Sequence, residues 1–128
     1  MSHIVKGKVE VAYTNKELLM KAIDGLGLIA TNEKLYRVGA GYTTERYPLV
    51  LIDHNDPQKR IGFQEENGVW SQYQEDYGSY GTWTSNMSGK LQDRYLAYHY
   101  EQQLINEGFN VVIRQEADGS LELEAEEP

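Results

Sequence analysis

Leu91–Gln92–Asp93–Arg94–Tyr95–Leu96–Ala97–Tyr98–His99, followed by Asn106–Glu107–Gly108–Phe109 and then Asp118–Gly119–Ser120, is the stretch whose reading decides the fold. Leu91, Tyr95, Tyr98 and Ile105 fall on one stripe of a 3.6-residue repeat, so the spacing predicts an amphipathic helix, with Ser85 or Ser88 as its cap and Gly108 as its stop. Beyond the stop, Phe109–Asn110–Val111–Val112–Ile113–Arg114 and the alternating Leu121–Glu122–Leu123–Glu124 flank an Asp118–Gly119 turn. This pattern predicts a terminal β-hairpin.

Working back from that helix, residues Glu66 to Trp83 are rich in Gly, Ser, Gln and aromatic side chains. Trp70, Tyr73, Tyr77, Tyr80 and Trp83 recur every three or four residues, but Gly68, Gly78 and Gly81 oppose a continuous helix. The expectation is a strand near Val69–Tyr73 followed by an aromatic loop. Arg60–Ile61–Gly62–Phe63–Gln64 is expected to run antiparallel to Pro48–Leu49–Val50–Leu51–Ile52, whose unbroken apolar character predicts a strand buried on both faces. The Asp53–His54–Asn55–Asp56–Pro57 turn joins them. Leu28–Ile29–Ala30 and Lys34–Leu35–Tyr36–Arg37–Val38 read as strands with a turn at Thr31–Asn32–Glu33, and Gly39–Ala40–Gly41 as a bend.

Asn15 is placed to cap a first helix in which Leu18, Leu19, Ala22, Ile23 and Leu26 keep helical period, with Gly25 and Gly27 to end it. Before it, Val5, Val9 and Val11 are expected on one face of a first strand. The order β-α-β-β-β-β-α-β-β predicts an α+β fold: a mostly antiparallel sheet with two helices packed on one face, its other face exposed or meeting a partner. At 128 residues the expectation is a single domain, 1–128.

Composition narrows the function. Twenty acidic against twelve basic side chains give a formal charge of -8, which opposes binding to phosphate backbones or anionic lipid, so neither nucleic acid nor a membrane is an expected partner. With no cysteine there is no disulfide, thiolate catalysis or cysteine-ligated metal. No apolar run approaches the roughly 20 residues of a membrane span, and Met1–Ser2–His3–Ile4–Val5–Lys6 lacks signal-peptide form, so a cytoplasmic location is expected. His3, His54 and His99 are scattered, and the Asp53–Asp56 cluster lacks the closing glutamate of a calcium loop. No metal and no cofactor is expected.

Across nearly its whole length the chain resembles the domain of unknown function 1257 family, which includes the hypothetical chloroplast reading frame 35 proteins. The residues that carry the likeness are Met1–Ser2–His3, Leu18–Leu19, Val38–Gly39 to Tyr42, Leu49–Val50–Leu51–Ile52 and Ile61–Gly62–Phe63. The more specific ones are Gln92, Arg94–Tyr95, Tyr98–His99, Gly108–Phe109 and Asp118–Gly119–Ser120. The resemblance implies a fold and a distribution among plastids, bacteria and bacteriophages, and no reaction. Tyr77–Trp83 departs from the family by replacing a regular helical lead-in, and the terminal strand is acidic.

Two sets of residues are candidates for ligand binding. Arg94, with His99 about one turn on and Arg37 and Arg46 near the glycine bend, could donate to a phosphate or carboxylate; alternatively Arg94 pairs with Glu101 or Asp93. Trp70, Tyr73, Tyr77, Tyr80 and Trp83 could form a recognition surface on which planar ligands stack, or could simply pack locally, while Tyr95 and Tyr98 suit a helix core. No catalytic residue is assigned. The first expectation is a non-catalytic accessory or protein-binding module. The alternatives are a pocket protein holding a small anionic ligand, such as a signalling nucleotide, and an uncharacterised enzyme. A self-complementary sheet face would make a homo-oligomer.

Overall fold

The expected order holds in a computed structural model, which describes residues 4–128, with the two apolar runs at Leu28–Ala30 and Lys34–Val38 belonging largely to one strand. Its elements are β1 (Ile4–Lys6), α1 (Lys16–Asp24), β2 (Leu28–Arg37), β3 (Gly41–Ile52), β4 (Arg60–Glu66), β5 (Val69–Glu75), α2 (Gly78–Asn106), β6 (Asn110–Gln115) and β7 (Leu121–Glu126). Five strands form one antiparallel sheet in the order β1-β5-β4-β3-β2, and β6 and β7 form a separate hairpin. The class is α+β. Met1–Ser2–His3, on which the expected family resemblance partly rests, lies outside the described residues.

Both helices cover one face of the sheet, for a reason legible in their spacing. Leu18, Leu19, Ala22 and Ile23 of α1, with Leu91 and Tyr95 of α2, close over Leu49, Leu51, Ile61 and Phe63, all four of which have no exposed surface. Each such side chain contributes about 1.5–3 kcal/mol by leaving water. Asn15 caps α1 as expected, its Oδ1 accepting from the Leu18 N–H at 3.1 Å. The Leu26 and Gly27 N–H groups then close the helix end on the Ile23 carbonyl.

Part of the opposite face is covered by the chain itself, which folds over it. β3 pairs with β4 only from Leu49 to Ile52; Pro48, which has no N–H to donate, stands where β3 leaves that ladder. The far half of the β2–β3 hairpin bends across β4 and β5, burying Leu35, Tyr47 and Val50. Gly62 permits this closure, since a β-carbon there would lie 2.9 Å from the Tyr47 ring and 3.1 Å from Leu35. At the end of the fold-over the Val38 N–H donates to the Glu75 carboxylate at 3.0 Å.

Several local expectations are corrected. Thr31–Asn32–Glu33 is not a turn: β2 runs through it, Asn32 adopting φ 51 and the register shifting between Lys34 and Tyr36. Pairing with β3 overrides the turn-forming residues: Thr31 and Glu33 keep register with Leu49 and Tyr47, and the irregularity comes only beyond Lys34. β1 stops at Lys6, although Val9 and Val11 still pack on the core and the chain stays beside β5 through Gly7 N–H to Gln72 C=O (2.8 Å) and Trp70 N–H to Tyr13 C=O (2.8 Å). The aromatic loop is instead the opening of α2, which contains Tyr80 and Trp83. Glycine costs about 1 kcal/mol per helical position, but Gly81 is where the helix presses against the Asp76 carbonyl, and burying Tyr80 offsets that cost. Neither Ser85 nor Ser88 caps the helix. Tyr77 holds the N-cap position without a side-chain bond, and Ser88 is buried in the helix interior.

Candidate functional site

The candidate residues do not converge on one pocket. Arg37 folds back on its own hairpin turn, donating to the carbonyls of Gly41 (3.2 Å), Ala40 (3.2 Å) and Tyr42 (3.0 Å). Arg46 donates to the Asn32 carbonyl at 2.8 Å. Trp70 is buried beneath the Lys16 ammonium, 5.4 Å from its ring centre. The Tyr73 hydroxyl donates to Glu66, which holds the phenol up at about 12 and the Glu66 carboxyl below its ordinary range. Tyr77 is exposed and His99 is exposed. Tyr80 fastens α2 to the β3–β4 loop, its oxygen accepting from the Arg60 N–H (2.8 Å) while its proton goes to the Gln58 carbonyl; burial pushes its ionisation up. Trp83 lies edge-on to Tyr80, 5.9 Å between centres. Tyr95 accepts from the Thr14 and Asn15 N–H groups at 3.2 and 3.1 Å, tying α2 to the start of α1. Arg37 and Tyr73 share a cleft of about 320 Å³, together with Lys6 and Glu45.

Arg94, the residue on which an anion site would most depend, is 1 % exposed and makes no ion pair among the described residues. Its guanidinium is instead the knot joining three parts of the molecule. Nε donates to the Ala22 carbonyl (2.7 Å) and Nη2 to that of Lys21 (3.4 Å), in the last turns of α1, while Nη1 reaches the Gly119 carbonyl and Gln115 Oε1 (3.0 Å) of the hairpin. A cation suits the negative end of a helix. Gly25 makes the room, since a β-carbon there would fall on the guanidinium. Tyr98 flanks the group, 5.7 Å from ring centre to guanidinium carbon. With its donors taken by carbonyls and an amide, Arg94 holds structure and is turned away from any external anion.

Two surfaces stand out that the candidate residues do not mark. The first is a cleft of about 940 Å³ between β1 and the small-residue side of α2, floored by Gln74, Ser88 and Gln92. Its amides already satisfy one another: Gln72 donates to Gln74 and to Ser88 Oγ (3.1 Å), Gln74 to Asp76 (2.6 Å), and Gln92 to Ser88 Oγ (3.3 Å). The second is an apolar groove of about 390 Å³ between α2 and β7, bounded by Leu96, Ala97, Tyr100, Leu104, Leu121 and Leu123. At 100° per residue these helix positions lie opposite the Leu91–Tyr95 stripe, so α2 is apolar on two sides. Leu96, Tyr100 and the neighbouring Ile105 are exposed, which departs from the expectation that Ile105 continues the buried stripe.

Charge follows the same division. Residues 91–128 contain nine Asp and Glu against Arg94 and Arg114, a formal charge of -7 out of the chain's -8. The apolar groove therefore opens within the acidic part of the molecule. Its signal was present in the spacing of Leu96, Ala97, Tyr100 and Leu104, which repeats every three to four residues beside the stripe that defines the helix. Among the described residues no group of three His, Asp or Glu side chains could hold a metal ion, and no helix is long and apolar enough to cross a membrane. Comparison of the chain with family models, curated proteins and solved structures finds no match.

Proposed function

We propose that the protein is a non-catalytic binding module whose C-terminal face, α2 with the β6–β7 hairpin, docks a polypeptide rich in basic and apolar residues. One observation carries this reading: an apolar groove lined by Leu96, Tyr100, Leu121 and Leu123 lies in the segment that holds nearly all the net negative charge. Apolar contact supplies the driving force, and the surrounding carboxylates select and steer a cationic partner. The reading of a pocket protein for a small anion ranks second, since Arg94 and Arg37 are bound to carbonyls and the amides of the polar cleft are bonded to each other. The likeness to the family of unknown function brings no partner or reaction to this reading.

The test is a titration with synthetic peptides of Lys and Val, followed by NMR, against Glu-for-Lys versions as controls. The Lys peptides are expected to shift the signals of Leu96, Tyr100, Leu121 and Leu123, with affinity falling as salt rises, and Tyr100→Arg is expected to weaken binding at least tenfold, about 1.4 kcal/mol. Equal binding of the acidic peptides, or shifts confined to other surfaces, would overturn the proposal.

A further inference from the structure

We infer that the free edge of β7 holds the partner as an added strand, and that the segment it takes alternates apolar residues with Lys or Arg. This rests on the reading of the C-terminal face as a docking surface and specifies how that surface works. Among the described residues β7 is paired on one side only, with β6. The hairpin is closed by a bond from the Glu116 N–H to the Ser120 carbonyl at 2.8 Å. Bonded and non-bonded pairs alternate along an antiparallel ladder, so Arg114–Glu122 and Val112–Glu124 are the next bonded pairs. The N–H and C=O groups of Leu121, Leu123 and Ala125 consequently point away from β6. No turn, loop or cap bond among the described residues reaches them. Such a row of free donors and acceptors is a template for another strand.

The groove lies on this edge. Its hairpin wall is Leu121 and Leu123, with no residue of β6. The alternate side chains, Glu122, Glu124 and Glu126, are exposed. On its other side β7 already shows what it accepts: β6 turns Val111 and Ile113 inward, half-buried, and sets Arg114 opposite Glu122 with a 3.2 Å ion pair to Glu124. A strand on the free edge with the same alternation would lay apolar side chains over Leu96 and Tyr100 and bring cations beside the glutamates, for which β6 provides one arginine. A second copy of β7 would set glutamate against glutamate, and like charges directly opposite each other across a ladder are destabilising. The occupant is therefore a different, basic polypeptide.

The experiment uses the whole protein and an end-blocked peptide, Val-Lys-Val-Lys-Val-Lys-Val, against a peptide of the same composition in helical order. Affinity is read by fluorescence anisotropy and the site by amide hydrogen exchange. The alternating peptide is expected to bind more tightly and to slow exchange at Leu121, Leu123 and Ala125 at least tenfold. Ala125→Pro removes one outward N–H without touching the β6 ladder, which the protection of the Val112 and Glu124 amides checks, and is expected to weaken the alternating peptide at least tenfold. Binding that Tyr100→Arg abolishes but that leaves those three amides unprotected and is indifferent to Ala125→Pro would overturn the added strand and keep the docking face. If neither peptide binds, or if Tyr100→Arg changes nothing, both fall.

Discussion

The five-stranded sheet and the β6–β7 hairpin are both antiparallel and both lie against α2, yet different forces hold them. In the sheet, Leu49, Val50, Leu51, Ile61 and Phe63 are wholly withdrawn from water. In the hairpin, Val111, Ile113, Leu121 and Leu123 are half-buried and Val112 is 52 % exposed. A two-stranded ribbon is marginal by itself in water. What anchors this one is polar: the Arg94 guanidinium, bonded at once to the end of α1 and to the hairpin turn. A cation fixed from the turn end positions the ribbon without sealing its apolar face, and that is why a groove persists beside β7. Rigidity and an open surface are obtained together.

Arg94→Ala should separate the two regions most sharply. Removing the guanidinium leaves buried carbonyls unpaired and is expected to cost about 3–5 kcal/mol. Hydrogen exchange should show the amides of β6 and β7 losing protection at milder denaturant than those of β3 and β4, whereas Leu51→Ala, a loss of about 2–5 kcal/mol, should lower all of them together. A single cooperative loss in Arg94→Ala would show that hairpin and sheet are one stability unit and would break the comparison.

A smaller effect is expected at the joint between the helices. Tyr95→Phe keeps the ring against Tyr13 but removes the acceptor of the Thr14 and Asn15 N–H groups, for about 1–3 kcal/mol by chemical denaturation. That loss should fall on the sheet region and leave the protection of the hairpin turn unchanged.

The smallest effects distinguish one carboxyl in each region. Hydrogen bonds from Ser120 lower the Asp118 carboxyl in the hairpin turn, and those from Tyr73 and Lys6 lower Glu66 in the sheet. A carboxyl depressed in the folded state adds stability above its ordinary value and loses that contribution as pH falls through the depressed one. Carboxyl titration by NMR should show Ser120→Ala raising Asp118 alone and Tyr73→Phe raising Glu66 alone. Movement of both in either variant would mean that the regions are electrostatically coupled.

How much was legible in the sequence depended on range. Asn15 as a cap, the α1 stripe, the buried Leu49–Ile52 run and the Asp118–Gly119 hairpin were readable because each depends on neighbours a few residues away. Thr31–Glu33 reads as a turn because its polar residues suit one, and only the partner strand, paired with it in register through Leu49 and Tyr47, holds it extended. Gly78 and Gly81 suggested a loop because local propensity omits the contact with Asp76 and the burial of Tyr80. The second apolar side of α2 was hidden by the first, since two opposed stripes blur the periodicity that reveals one.

Residue order alone, then, determined the order of the elements, the α+β class and the concentration of charge in the last third, because period, caps and composition are local quantities. Tertiary structure decided that Arg94 is enclosed rather than offered to a ligand, that part of the second sheet face is covered by its own hairpin, and that the acidic third carries an open groove. Each of those turns on groups brought together from distant parts of the chain, such as Arg94 with Ala22 and Gly119, and side-chain donors are claimed by whichever acceptors the fold places within reach.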